Sequence, residues 1–303
     1  MIHSSKTNNS TFALANSRDR FPIESKYIII FVLLYLITSI FCAVASTLVP
    51  ALSSLEDPII FEILYTCSFV GLYCYLWKKL RQSRLNPQYL IGNKFPCHRW
   101  WSLLTWVIAL LLFSTGAVIL LFSALSSFAP NFSEILLEEE SQVSSLPIIY
   151  QCLSIINMVI VAPITEEFIF RGVLLHRLAT KWNIAIAIWI SSTIYGLFHF
   201  FDPIGSFFFG VVMALLYIKT KTSIVPIIAH AMYNTILLII VQFSGTTAES
   251  STQITSGDWI IGLLLIVVSL PFLISFIYRR FPAKNQPLPY FANEVKAMTK
   301  ISD

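Results

Sequence analysis

The feature that most constrains this chain is a recurrence of largely apolar windows of roughly 18 to 25 residues, the length a helix needs to cross a hydrocarbon core of about 30 Å. They run Tyr27–Leu48, Pro58–Trp77, Trp101–Phe128, Pro147 to about Phe170, Ile184–Phe200, Ile204–Ile218, Ser223–Phe243 and Trp259–Tyr278. Eight such windows in 303 residues leave only 12% of the chain charged and give a mean hydropathy of +0.74, which excludes a soluble domain. The expected fold is all-α, a polytopic membrane bundle of about eight transmembrane helices. Its organisation reads as a 1–26 tail, a 27–128 three-helix membrane region, a 147–243 core, a last span at 259–278 and a 279–303 tail. The final segment is polar and carries Pro282, Pro287 and Pro289, so it is expected to be flexible.

Charge is distributed one-sidedly. Assigning alternate connections to opposite faces puts all 20 Lys and Arg on one face: the N-terminal tail, the Lys78–Arg99 loop, Arg171, Arg177 and Lys181, Lys219 and Lys221, and the C-terminal tail. The opposite connections carry Glu56, Asp57, Glu134, Glu138, Glu139, Glu140, Asp202, Glu249 and Asp258 and no basic residue. By the positive-inside rule both termini are cytoplasmic, in an integral, multi-pass protein of the cell (plasma) membrane. A net charge of +4 does not suggest a nucleic-acid partner. The 5 cysteines include no C-x-x-C pair, so neither a disulfide framework nor a zinc knuckle is read. The acidic run after Asn131-Phe132-Ser133 reads as a solvated stretch on the membrane surface.

Ionisable groups inside a bilayer are costly and mark function by default. Here they are Glu62, Glu166, Glu167, Arg171, His199 and His230, with Asn234 as a polar companion. Glu62 lies near a membrane surface and is expected to snorkel. Glu167 and Arg171 stand at i, i+4 and can pair, while Glu166 points about 100° away and has no obvious local partner. An unpaired carboxyl in an apolar setting is the usual makings of a general base or acid. Tyr195 and His199 share a face, as do His230 and Asn234. One free carboxylate, two imidazoles and one carboxamide on apolar helices can polarise a water and hold an oxyanion. The H-E-x-x-H pattern is absent, and Gly205-Ser206 lacks the context of an intramembrane serine protease.

At these residues the sequence resembles the CAAX prenyl endopeptidase and bacteriocin-processing (CPBP, or Abi) family of intramembrane proteases. Its marks are E-E-x-x-x-R, F-x-x-x-H and H-x-x-x-N/D on successive helices. Glu166, Glu167 and Arg171 match the first, and His230 with Asn234 the third. His199 matches the second, with Tyr195 in place of the usual Phe, which leaves open an extra hydroxyl near the water site. The resemblance covers about residues 147 to 243. It implies an endopeptidase acting on membrane-associated or prenylated peptides from a cavity open to the cytoplasm. Glu166 and His199 would activate water, His230 and Asn234 would hold the oxyanion, and Glu167 and Arg171 would support the first motif. No cofactor is favoured. Zinc is possible, with Glu166, His199 and His230 as ligands and water in the fourth position. The metal-free reading is preferred because Asn234 suits an oxyanion better than zinc and no further carboxylate is evident for either histidine.

Depth poses a difficulty for this site. A straight fifth span carries His199 roughly 25 Å from its cytoplasmic start, well past His230. Either the stretch after Arg171 runs along the interface, or the hairpin tip at Phe200–Pro203 stays below the outer surface. The rival function is a non-catalytic membrane immunity or transport protein that binds a peptide or small ligand through the same buried groups.

Overall fold

The computed structural model describes Phe21 and residues 57–92, 100–128, 148–244, 256–283 and 286–302. The window Tyr27–Leu48 and the acidic connection with Asn131 lie outside the described residues. Within them all regular structure is helical: α1 Asp57–Gln82, α2 Gln88–Ile91, α3 Trp100–Phe128, α4 Ile148–Lys181, α5 Ile184–Phe198, α6 Pro203–Thr220, α7 Ile224–Ser244, α8 Ser256–Arg280 and α9 Pro289–Ser302. Among the described residues α3, α4, α6 and α8 are long and apolar enough to cross a membrane, while α5 and the 224–240 part of α7 are shorter apolar helices. The protein is an all-α integral membrane bundle.

Close contacts between small residues hold the bundle together, as expected where lipid supplies no hydrophobic drive between helices. At the α3–α8 crossing a Cβ on Gly116 would lie 2.8 Å from the Gly262 carbonyl oxygen. At the α5–α6 hairpin a Cβ on Gly196 would lie 2.5 Å from the Pro203 oxygen. Apolar side chains remain on the outside, including Leu263, Leu264, Val267 and Val268 of α8, each more than half exposed, which is the surface lipid requires.

The first arm of the α5–α6 hairpin is short. α5 has 15 residues, about 22 Å at 1.5 Å per residue, short of a hydrocarbon core of about 30 Å. Leu197, Phe200 and Phe201 around its end are 72%, 66% and 54% exposed, leaving apolar side chains on the outside of the bundle. Asp202 starts α6 by accepting a hydrogen bond from the Gly205 amide at 2.9 Å, with Pro203 at the first helical position.

α4 is one helix with two π turns, Asn157–Val161 and Phe168–Leu174. Pro163 accounts for the first. The Ala162 amide bonds the Asn157 oxygen, five residues back, and the next donor in register would be residue 163, which as proline has no N–H. The Met158 carbonyl is thereby orphaned, and Asn234 Nδ2 on α7 donates to it at 2.7 Å. In the second π turn the Leu175 amide bonds Phe170 O, and the Arg171 carbonyl accepts Nδ1–H of His176 at 3.0 Å. His176 is fully buried and its Nε2 accepts the Tyr290 amide at 3.2 Å.

That last bond corrects the expectation of a flexible tail. Residues 289–302 form α9, whose Tyr290 is buried and whose Asn293 Nδ2 donates to Tyr89 O at 2.8 Å and Lys221 O at 2.9 Å. The prolines precede or start this helix rather than interrupting it. Glu62 also departs from expectation. Instead of reaching freely for the interface it accepts a hydrogen bond from Asn157 Nδ2 of α4, and Thr66 Oγ1 donates to Asn157 Oδ1 at 2.6 Å. A side chain that finds amide donors within the bundle has no need of the surface.

Candidate active site

The stretch of α4 between its two π turns, Ala162–Glu167, carries both glutamates. Glu166 is 4% and Glu167 0% exposed, and they face different partners, as two residues 100° apart on a helix must.

Glu167 faces two partners. Its Oε2 lies 3.1 Å from Arg171 Nε, and its Oε1 accepts Nδ1–H of His230 at 3.1 Å. The Arg171 guanidinium is buried, with Nη2 at 3.4 Å from the Gly210 carbonyl and its carbon 4.7 Å from the Tyr195 ring centroid. Such an arrangement offsets part of the cost of desolvating the cation, whose Nη1 is buried without a hydrogen-bond partner. The Glu167 contact also corrects the expectation that neither histidine has a carboxylate behind it. His230 has one, at Nδ1, which fixes the ring and leaves Nε2 to act. Sequence reasoning paired Glu167 with Arg171 alone because that pair is local; His230 is 63 residues away.

Glu166 is not partnerless either. Tyr195 OH donates to its Oε2 at 2.9 Å, and among the described residues no protein group bonds its Oε1. The Tyr195 ring lies 4.3 Å, centroid to centroid, from that of His199 and 6.5 Å from that of His230. Tyr195 therefore touches the carboxylate with its hydroxyl and His199 with its ring, bringing the first and second motifs together. His199 Nδ1–H donates to the Tyr195 carbonyl at 2.9 Å, so in the neutral ring Nε2 carries the lone pair. Asn234, with one N–H committed to Met158 O, keeps the other.

A second polar chain went unread in the sequence. Tyr233 OH donates to Ser114 Oγ at 2.7 Å, and Ser114 in turn hydrogen bonds Asp202 Oδ2. The Asp202 amide bonds the His199 carbonyl at 3.0 Å. This chain ties α7, α3 and the hairpin tip together beside His199. Its one sequence signal was Asp-Pro at 202–203, a helix start, which does not reveal that the other carboxylate oxygen would meet α3.

Among the described residues no three His, Cys, Asp or Glu side chains are grouped as a metal ion would need. Glu167 Oε1 takes His230 Nδ1, and the Tyr195 hydroxyl occupies Glu166 Oε2. Those bonds leave Glu166 Oε1 and the Nε2 atoms of His199 and His230 as the donor atoms of the zinc set, which are not grouped as a metal ion needs, and no step below runs through a metal.

Fold and site together define a membrane-embedded helical protein with a centre of two buried carboxylates, a buried and a half-buried imidazole, and a bridging tyrosine. All seven motif residues lie within residues 148–236, which match the family described as Type II CAAX prenyl endopeptidase Rce1-like. The chain is 37% identical over 121 residues to the "Putative membrane peptidase YdiL" of Bacillus subtilis (strain 168), 38% of this chain and 47% of that protein. It is 34% identical over 103 residues to the "Membrane-embedded CAAX protease MroQ" of Staphylococcus aureus (strain USA300), 31% of this chain and 41% of that one. The match thus spans a little under half the length of these curated relatives. No solved structure matches significantly.

Proposed function

We propose that the chain is an intramembrane endopeptidase of the glutamic type, cleaving membrane-associated or prenylated peptides from the cytoplasmic side of a cell membrane in which both termini are cytoplasmic. The observation that carries the reading is the asymmetry of Glu166, which is buried, fixed at Oε2 by Tyr195 and open at Oε1. A carboxylate so held accepts a proton from a water lying between it and His199 Nε2. The water oxygen bonds the scissile carbonyl carbon, and the carbonyl oxygen becomes an oxyanion. His230, held at Nδ1 by Glu167, and the free N–H of Asn234 are the groups that face that oxyanion. Collapse breaks the C–N bond as the proton passes from Glu166 to the leaving amine, so one water is consumed and a carboxyl and an amine are released. Family likeness supports the reaction class, and YdiL and MroQ are named as a peptidase and a protease.

The test is cleavage of a quenched-fluorescence peptide panel, prenylated and unprenylated, by the purified full chain, its Glu166→Gln variant, and the wild type under chelation. A loss of about 10²- to 10⁴-fold in kcat for Glu166→Gln with unchanged thermal stability is expected. Activity should survive chelation. Equal cleavage by wild type and Glu166→Gln sinks the general-base role, and loss under chelation restored by zinc sinks the metal-free one. Binding of a peptide without cleavage by either form would favour the immunity or transport alternative.

A further inference from the structure

At the far end of α1 from Glu62, a cavity of about 350 Å³ is lined by Trp77, Arg81, Arg84, Leu85, Asn86 and Gln88. Its polar lining is two guanidinium groups and two carboxamides. The Asn86 carbonyl oxygen Oδ1 already accepts the Gln88 amide at 3.1 Å, which leaves Asn86 Nδ2 as its free polar end. No acidic residue lines the cavity, and among the described residues neither guanidinium has an ionic or hydrogen-bonding partner. Two uncompensated guanidinium groups on one cavity repel each other, and an anion removes that cost.

The backbone adds a second observation. α1 ends with the Leu85 amide on Leu80 O at 2.9 Å and the Arg84 amide on Arg81 O at 3.0 Å, a Schellman pattern in which Arg84 takes the left-handed position, φ 60°. Glycine is the residue this position favours, because a Cβ there costs about 1 kcal/mol or more. An arginine in that place spends stability to direct its side chain at the end of the helix. Strain of this kind points to function rather than to folding.

The surroundings select the anion. The Trp77 ring is 5.8 Å from that of Tyr73 and 6.0 Å from that of Phe168, at the basic end of α1 where the charge map places headgroups. Val70, Cys74, Trp77 and Arg81 recur at helical spacing along one stripe, and Val70 and Cys74 are exposed. An acyl chain on that stripe ends with its phosphate at Arg81 and Arg84. We propose that this cavity binds the phosphodiester headgroup of an anionic phospholipid, with Arg81 and Arg84 as the phosphate fork and the α1 stripe as the acyl track. The inference is independent of the protease reading.

The experiment follows thermal unfolding of the full chain in detergent with added phosphatidylglycerol, phosphatidylcholine or inorganic phosphate. Phosphatidylglycerol at about a hundredfold excess over its Kd should raise Tm by about 5 °C. The other two additions should give much less. Arg84→Gly relieves the left-handed strain, so without lipid it should melt at or above wild type, yet it should lose most of the phosphatidylglycerol shift. Arg81→Gln should lose that shift too, and it carries the test if Arg84→Gly does not fold. Arg279→Gln removes a charge from the end of α8 and should keep the shift. Equal stabilisation by both lipids, or a full shift in both cavity variants, overturns the proposal. A full shift with inorganic phosphate alone overturns the lipid assignment in favour of a free-phosphate site.

Discussion

The Glu166 and Glu167 sides of α4, one residue apart, are built on opposite plans. On the Glu167 side every carboxylate oxygen faces a cation or an imidazole, and the region is fully buried. On the Glu166 side one oxygen is held by a neutral hydroxyl and the other is left without a protein partner. The lesson is that a membrane site divides its acids into one that holds the architecture and one that reacts, and that neighbouring partners, rather than depth alone, decide which is which.

The sharpest way to break this contrast is Glu167→Gln. It leaves Arg171 buried without its counter-ion, so about 3–5 kcal/mol of stability should be lost, together with cleavage, and chemical unfolding in mixed micelles would measure it. Glu166→Gln should show the reverse pattern, activity lost and stability kept. A matching stability loss in both variants would erase the distinction. Tyr195→Phe comes next. It removes only the donor to Glu166 Oε2, so kcat should fall about tenfold, the worth of one hydrogen bond of about 1.4 kcal/mol, with little change in KM. A wild-type kcat in that variant would mean that the hydroxyl does not steady the base. The smallest effect is expected for Tyr233→Phe, about 1 kcal/mol through loss of its bond to Ser114. In a double-mutant cycle with Ser114→Ala the two losses should not add, since both break the chain that ends on Asp202.

What could be read in the sequence was what hydropathy and short spacing encode. Apolar windows exposed the membrane bundle, and i, i+4 pairs exposed the motif residues, because both depend on neighbours along the chain. The Glu167–His230 contact, the Tyr195 bridge and the Ser114–Asp202 bond join residues 29 to 88 positions apart and leave no periodic trace. The π turns were hidden for another reason. Pro163 announces a missing donor, but whether the helix kinks, ends or widens depends on a partner for the orphaned carbonyl, and that partner, Asn234, is on another helix. The α9 docking was obscured by composition, since a polar, proline-flanked segment resembles a linker until buried aromatic residues such as Tyr290 are seen in place.

The shortness of α5 has a consequence for the membrane itself. A helix of 15 residues ending in exposed Leu197, Phe200 and Phe201 is shorter than a bilayer core of about 30 Å, and thinning the lipid on that flank to meet it costs a fraction of a kcal/mol for each ångström of mismatch. A thinner bilayer around α5 brings headgroups nearer the hairpin tip. Bilayer thickness, as much as lipid charge, then bears on the surroundings in which the protein is most stable.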